Sequence, residues 1–586
     1  MSAGEWSVSR RGRVPRLLIA GASLLAVAAA WKLFPSASAR PESPSVPVRF
    51  TNVTAEAGID FRHNSGARGK KYMPETVGAG CGWIDYNSDG WPDLFFVNGS
   101  DWPDSEKRKP SYPSLYRNNR DGTFSEVTEA AGLKTERYGM GVAVGDFDND
   151  GLPDLYLTCI GPNVLYRNRG DGTFQDVTAR SGVAGEAVEV GGLRWKWSSS
   201  PAWIDYNRDG RLDLFVGNYV SWTPQTDVWC GTRDGRKAYC PPNSFAGVPS
   251  LLYRNEGDGR FRNVSAETGI GDFVGKSFGV AVADYNADGW LDLAVANDTS
   301  PNFLFLNQEG KRFEERGLEA GIALSNMGHA KAGMGIDAAD WGNNGRWGLL
   351  VGNFSEECLS LYENDGKGLF TDRTYPMGMG ETSLTSLTFG AFFFDFDLDG
   401  WQDAFAANGH IDTFVNENNA QITYEQRPLL FRSEQGERFR EVGETSGRAL
   451  SERMVLRGTA FADYDRDGDL DIAAVWNNGP ARLWRNDGGN RNRWIRLELR
   501  GKRANRDGIG AVVSVTAGGM TRQHLVKSGS SFLSQSELPL TVGLGSAERA
   551  DRVEVRWANG DRDTWSGLEA GHHYYLEQGG QPERAR

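Results

Sequence analysis

A pattern of carboxylates spaced through ten residues recurs along the chain, and a chain that carries it must fold as a repeat. The intact copies are "DYNSDGWPDL" from Asp85, "DFDNDGLPDL" from Asp146, "DYNRDGRLDL" from Asp205, "DYNADGWLDL" from Asp284, "DFDLDGWQDA" from Asp395 and "DYDRDGDLDI" from Asp463. A seventh, "DWGNNGRWGL" from Asp340, is degraded. Successive starts lie 61, 59, 79, 56, 55 and 68 residues apart. Self-similarity at such a period marks a repeat architecture, in which each unit buries its apolar face against the next.

Bare carboxylates this close repel one another, so something must hold them. A hard cation can: calcium takes six to eight oxygens at about 2.3–2.6 Å. The side-chain donors are Asp85, Asn87, Asp89 and Asp93 in the first copy, and Asp146, Asp148, Asp150 and Asp154 in the second. They are Asp205, Asn207, Asp209 and Asp213 in the third, and Asp284, Asn286, Asp288 and Asp292 in the fourth. The last two intact copies offer Asp395, Asp397, Asp399 and Asp403, then Asp463, Asp465, Asp467 and Asp471. The seventh residue of each copy (Trp91, Leu152, Arg211, Trp290, Trp401, Asp469) can add its carbonyl whatever its side chain. A glycine at position six allows the sharp bend. An Asp-rich turn is the plain alternative, but recurrence at constant phase asks for more than a turn. At Asp340, Gly342 and Gly348 remove two donors and leave Asp340 and Asn344. About six calcium ions are therefore expected, because ligand count and charge set calcium affinity. An EF-hand is excluded: position twelve should be glutamate after a helix, and here it is Phe96 or Leu157 within an apolar run.

Each copy sits in one frame. A small-residue strand precedes it, as in "GVAVGD" (141–146) and "GTAFAD" (458–463), and an apolar strand follows, as in "LFFVN" (94–98). A hairpin with an Asp-Gly turn comes next, as in "LYRNRGDGTFQDVT" (165–178); Asp-Gly between apolar runs is a strong hairpin signal. Four antiparallel strands per unit, repeated radially, make a β-propeller. The final "LWRND" (483–487) lacks its "FxxVT" partner, while an unmatched "FTNVT" lies at 50–54. The expectation is an all-β, seven-bladed propeller whose last blade is completed by the N-terminal strand, removing the exposed edge of an open ring.

The loops resemble the calcium loops of FG-GAP/VCBS repeats, as in integrin alpha-subunit propellers. The tail, with "NRDGIGAVVSV" (505–515), "GSSFLSQSELPLTVGLG" (529–545) and "VEVRWANG" (553–560), resembles the ASPIC/UnbV domain. Together these motifs are similar to the cartilage acidic protein family over nearly everything after residue 49. The resemblance implies a secreted, calcium-binding propeller with a small β-rich C-terminal module, and for most members no agreed biochemical activity. The expected organisation is a signal peptide or uncleaved anchor over 1–39, a proline-rich linker over 40–49, the propeller over 50–489, the ASPIC/UnbV domain over 490–578 and a tail over 579–586.

Export is also read from the residues. Arg10, Arg11, Arg13 and Arg16 precede the apolar stretch 17–31, and "ASA" ends at Ala39; this is the order of a secretory signal. The apolar run is shorter than the roughly 20 residues of a spanning helix. Cys230 and Cys240 flank "GTRDGRKAY" and can bridge in an oxidising compartment. Cys81, Cys159 and Cys358 are expected as buried free thiols. The formal net charge is −13. The six intact loops place 21 carboxylates at their side-chain positions, so the acidity reads as metal chemistry rather than repulsion of nucleic acid.

No HExxH, P-loop or haem-attachment motif is present. "GIGAVV" (508–513) only imitates a dinucleotide glycine run, and His572–His573 read as part of a strand. Binding of an extracellular protein or glycan is the leading reading; a polysaccharide-acting enzyme is the alternative. Long insertions (99–113, 184–198, 219–250, 409–428) fall on the rim opposite the loops, where recognition commonly resides. Trp195 and Trp197 could stack on a ligand or fill the pore mouth. Arg137, Lys196, Lys276 and Lys331 lie eight or nine residues before a loop aspartate. They raise the expectation of a partial basic ring facing an anionic ligand, against the alternative that each cation simply pairs with a nearby acid.

Overall fold

The computed structural model describes residues 48–585, apart from 107, 186, 187, 191, 192, 233 and 234. The expected signal segment lies outside the described residues. Seven four-stranded sheets follow one another along the chain. In the second, Tyr138–Gly145 pairs antiparallel with Asp154–Ile160, then Val164–Asn168 and Phe174–Asp176. The innermost strands are Cys81–Ile84, Tyr138–Gly145, Ser198–Ile204, Ser277–Ala283, Ile336–Ala339, Thr388–Phe394 and Leu456–Ala462. Each lies beside the next, and the last lies beside the first. Small residues dominate most of them because the strands converge near the axis; Thr388–Phe394, rich in phenylalanine, is the exception. Arg49–Asn52 pairs with Arg482–Asp487, Phe50 opposite Asn486, so the N-terminal strand completes the seventh sheet.

The "LYRN" asparagine explains how neighbouring sheets stay in register. The Nδ2 of Asn168 donates to the carbonyl of Tyr86 (2.8 Å) in the preceding sheet. Asn255 does the same to Phe147, Asn307 to Tyr206 and Asn364 to Tyr285. Asn118 closes the ring by donating to Tyr464 of the seventh sheet. Apolar clusters fill the wedges between sheets, one holding Ile84, Phe95, Val142, Leu155 and Tyr166.

The C-terminal module contains two further four-stranded sheets. One is built on Arg493–Arg500, which runs parallel to His572–Glu577. The other is built on Val512–Ala517 and Arg549–Arg556. Residues 582–584, expected as a free tail, form an outer strand on the first of these, Tyr575 opposite Glu583. Between the sheets, residues 526–538 run through the ring as a pin. Trp83 N donates to the carbonyl of Gln535 (3.0 Å), Val142 N to that of Leu533 (3.1 Å) and Ile336 N to that of Ser531 (3.0 Å). Ser528 and Ser536 hydroxyls accept from Trp203 N and Phe461 N. Inner strand edges that would otherwise face an open channel are thus satisfied. The fit is close: a Cβ on Gly80 would lie 1.7 Å from the carbonyl oxygen of Leu533.

Candidate functional site

The loops are built by their own carboxylates. Asp146 accepts from Gly151 N (2.7 Å) and Asp150 N (3.0 Å), and Asp150 accepts from Leu152 N (3.0 Å). The same bond, from the seventh-position N–H to the fifth-position carboxylate, recurs at Trp91, Arg211, Trp290, Trp401 and Asp469. Asn149 at position four and Gly151 at position six take positive φ (57° and 89°), which tightens the turn. The ninth-position aspartate ties the loop to the sheet: Asp154 accepts from Asn168 N (2.7 Å) and Phe147 N (3.2 Å). Asp93, Asp213, Asp292, Asp403 and Asp471 accept from the matching residue of their own third strand.

Three loops gather three carboxylates with ligand atoms within 4.8 Å of one another: Asp146, Asp148 and Asp154; Asp395, Asp397 and Asp399; Asp463, Asp465 and Asp471. In the loops at Asp85, Asp205 and Asp284 position three is asparagine (Asn87, Asn207, Asn286), and its amide donates to the next loop carboxylate. These groups fit a cation on a structural ground. Buried Oδ1 atoms of Asp148, Asp284, Asp395, Asp397, Asp465 and Asp469 have no protein partner, and a buried carboxylate oxygen needs one. Burial, then the neighbouring Asp507, pushes Asp146 up to about 8. Burial likewise pushes Asp93 to about 8, and Asp205, Asp399 and Asp463 to about 7. Arginines partly offset the charge: Arg167 bridges Asp148 and Asp150, both at 2.5 Å, and Arg432 bridges Asp397 (2.6 Å) and Asp399 (3.0 Å). The degraded loop keeps the turn, since Asp340 accepts from Asn344 N and Gly345 N at 2.8 Å. It lacks the ninth-position carboxylate, where Gly348 stands.

The rim opposite the loops departs from expectation. Of the residues expected as a partial basic ring, Arg137, Lys276 and Lys331 turn to local partners. Arg137 pairs with Asp176 (3.4 Å), and Lys331 donates to Ser360 Oγ (2.8 Å). Lys276 is buried and donates to Asn243 (2.6 Å) and Thr299 (3.3 Å). Inner strand ends converge here, so the mouth fills with apolar side chains and the cations turn to local partners. Trp195 and Trp197 are buried in that filling, with Trp102, Tyr219, Trp222, Phe278 and Phe389. Phe532 and Leu533, the tip of the pin, complete the same cluster from below.

Arg457, only six residues before its loop aspartate, is wholly buried here. It donates to the carbonyls of Thr76, Gly409 and Leu456 and lies 3.9 Å over Phe389. Burial draws it down to about 9. The insertion 219–250 crosses the mouth: Arg236 pairs with Glu417 (2.6 Å) and Tyr239 donates to Glu75 (3.2 Å). Cys230 and Cys240 are bonded within it, and Cys81, Cys159 and Cys358 are free and buried. Beside the mouth a pocket of about 590 Å³ is lined by Trp195, Lys196, Trp197, Asn218, Trp222 and Thr226 among others. Trp195, Lys196 and Trp197 thus come together at one place, while Arg137, Lys276 and Lys331 stand elsewhere.

Residues of the C-terminal module at the loops were not foreseen. Asp507 Oδ2 accepts from Asp146 N (2.7 Å), Arg556 reaches Asp284 (3.4 Å) and Arg496 reaches Asp463 (3.7 Å). No local sequence signal marks these residues; the run of small polar residues in "GSSFLSQSELPL" (529–540) marks only the pin, as a segment suited to packing against backbone. No helix among the described residues is long and apolar enough to cross a membrane.

Comparison with known proteins accords with this architecture. The ASPIC and UnbV family model matches residues 501–583. The chain is 24% identical to cartilage acidic protein 1 of Xenopus tropicalis over 82% of its length and 61% of the relative's. The human protein of that name is 24% identical over 62% of this chain and 50% of its own. The chain therefore spans about half to three-fifths of these curated relatives. Among solved structures, an Agrocybe aegerita lectin described as recognising non-reducing terminal N-acetylglucosamine is 16% identical. That match covers 68% of this chain and 85% of the lectin, with a TM-score of 0.35. The FG-GAP-like repeat model matches residues 85–157, 154–216, 225–295, 284–351 and 395–474, more than half of the sequence, and the chain belongs to that family.

Proposed function

We propose that this protein is an exported, calcium-loaded β-propeller that binds an extracellular glycan or protein through the rim opposite its loops. The observation that carries the calcium reading is the set of buried, unpartnered carboxylate oxygens converging in the loops. Calcium bound there would supply positive charge that the chain lacks, drawing loop and sheet together. The cartilage named in the relatives is an extracellular tissue, and a bonded cysteine pair suits an oxidising compartment.

Binding is favoured over catalysis by the filled channel. Carboxylates along it are held by module cations, Asp337 by Lys527 (2.5 Å) and Glu537 by Arg496, which leaves these two acids paired rather than free to act as an acid–base pair. The rim pocket combines indoles with amide and hydroxyl groups, a composition suited to ligand binding. The test is a glycan and protein array probed with the secreted chain, with and without calcium, beside Trp195→Ala. Loss of a specific signal in the variant at unchanged metal content supports the reading. Cleavage of a polysaccharide by the purified chain would replace it with the enzymatic one.

A further inference from the structure

The C-terminal module does not stand beside the ring; it covers the metal-loop end. At four intact loops it supplies contacts. Arg506 N donates to Asn149 Oδ1 (2.9 Å) and Asp507 accepts from Asp146 N (2.7 Å). Arg556 meets Asp284. Gly545 N donates to the carbonyl of Leu398 (3.2 Å) and Asn492 to that of Asp397 (2.7 Å). At the last loop Asp463 N donates to Glu537 (3.1 Å), and Arg496 spans Glu537 and Asp463.

This covering has an electrostatic consequence. Asp395, Asp397 and Asp463 are nearly inaccessible, each at 2% exposure or less; Arg432 answers Asp397 Oδ2 and Arg496 answers Asp463, but Oδ1 of Asp395 and Oδ1 of Asp397 have no hydrogen-bond partner. Burying a carboxylate without a counter-charge is costly. At Asp146 the module brings an anion, Asp507, against the loop backbone, with Arg506 beside Gly151. Docking therefore asks for positive charge in the loops, and a cation in the loops loses less by being covered than bare carboxylates do.

We infer that cation binding in the loops and docking of the C-terminal module are one coupled equilibrium, in which metal holds the module on the ring and the module holds the metal in. The inference rests on the proposed calcium reading of the loops. Coupling between two binding events is reciprocal, so either can be measured through the other. The module's charged residues are not equivalent within it. Asp507 deepens the need for metal, whereas Arg556 partly replaces it.

The test uses the full exported chain, with bound calcium counted by elemental analysis and hydrogen exchange followed by mass spectrometry. Chelation is expected to speed exchange in residues 526–538 and 493–500 at least tenfold, and to speed it less in Tyr138–Gly145 and its neighbours. Asp507→Asn should narrow the difference between calcium-loaded and chelated protein; Arg556→Gln should widen it. Ions that are counted, then removed, with no change in exchange at 526–538 would overturn the coupling and leave the calcium reading intact. Both variants moving in the same direction would overturn it too, since that is plain destabilisation. Finding no bound ions at all would remove the calcium reading and this inference with it.

Discussion

The two ends of the central channel are closed by opposite chemistries. At the rim, Trp102, Trp197, Trp222, Tyr219 and Phe389 meet the pin tip Phe532 and Leu533. At the loop end the closure is made of carboxylates, arginines and backbone groups, with Arg496–Glu537 and Lys527–Asp337 buried among them. Apolar burial stabilises by itself, at about 25 cal/mol per Å² removed from water. Charged burial stabilises only when each charge is answered. The rim closure therefore rests mainly on apolar burial, with the buried Arg457 answered by carbonyls, and the loop end rests mainly on ions and pH.

The sharpest way to break this contrast is to remove metal and vary pH. Each occupied loop should add about 2.7 kcal/mol when calcium stands 100-fold above its dissociation constant, so chelation should produce the largest fall in melting temperature. The sign with pH follows from the raised carboxyls. In the chelated native state Asp93 and Asp146 keep their protons to about 8, and Asp205, Asp399 and Asp463 to about 7. The unfolded chain has released them near 4. Native protein then holds more protons, and its stability drains as pH rises from about 4 to 8. Scanning calorimetry of chelated protein should show a lower transition at pH 8 than at pH 5, with calcium abolishing the difference. A chelated transition that rises with pH would show that the loops are not buried acids.

The apolar end should respond in another way. Trp102→Ala, whose ring packs on Tyr72, Tyr138 and Trp222 rather than on the pin, empties part of the aromatic cluster and should cost about 3–5 kcal/mol, the range for a buried tryptophan. Denaturant titrations with and without calcium should return the same loss. A loss that depends on calcium would mean that the two ends are not independent.

A finer comparison lies within one loop. Asp150→Ala should remove one bound ion, read by elemental analysis, and lower stability by roughly 1–3 kcal/mol in calcium, the span of most damaging substitutions. Leu152→Ala, whose expected contribution to the ion is a backbone carbonyl, should keep the ion count and change stability by about 0.5 kcal/mol, as surface substitutions do. Equal effects would remove position seven's backbone role.

How much of this was legible beforehand depends on the distance in sequence over which each feature is decided. Donors of a loop lie within nine residues, so their spacing alone displays the geometry, and the unmatched strands at 50–54 and 483–487 display the ring closure. The signal for the asparagine stitches was present as "LYRN", but its purpose was not, because the partner carbonyl belongs to a neighbouring sheet. Misreading was greatest at the rim. Even spacing placed Arg137, Lys276 and Lys331 at equivalent strand starts, and spacing says nothing of whether Asp176, Asn243 or Ser360 waits beside them.

The sequence by itself determined a repeat of antiparallel sheets, the position of every loop carboxylate and the loss of carboxylates at Asp340, because each is a matter of short-range periodicity and stereochemistry. Only the tertiary structure decided that residues 526–538 fill the channel and that Asp507, Arg496 and Arg556 reach the loops. Those contacts join residues as far apart as Asp146 and Asp507, or Trp83 and Gln535. No local pattern announces them; they exist because a closed ring leaves unsatisfied inner strand edges and buried acids at one end, and the C-terminal module carries the backbone and charged groups that meet them.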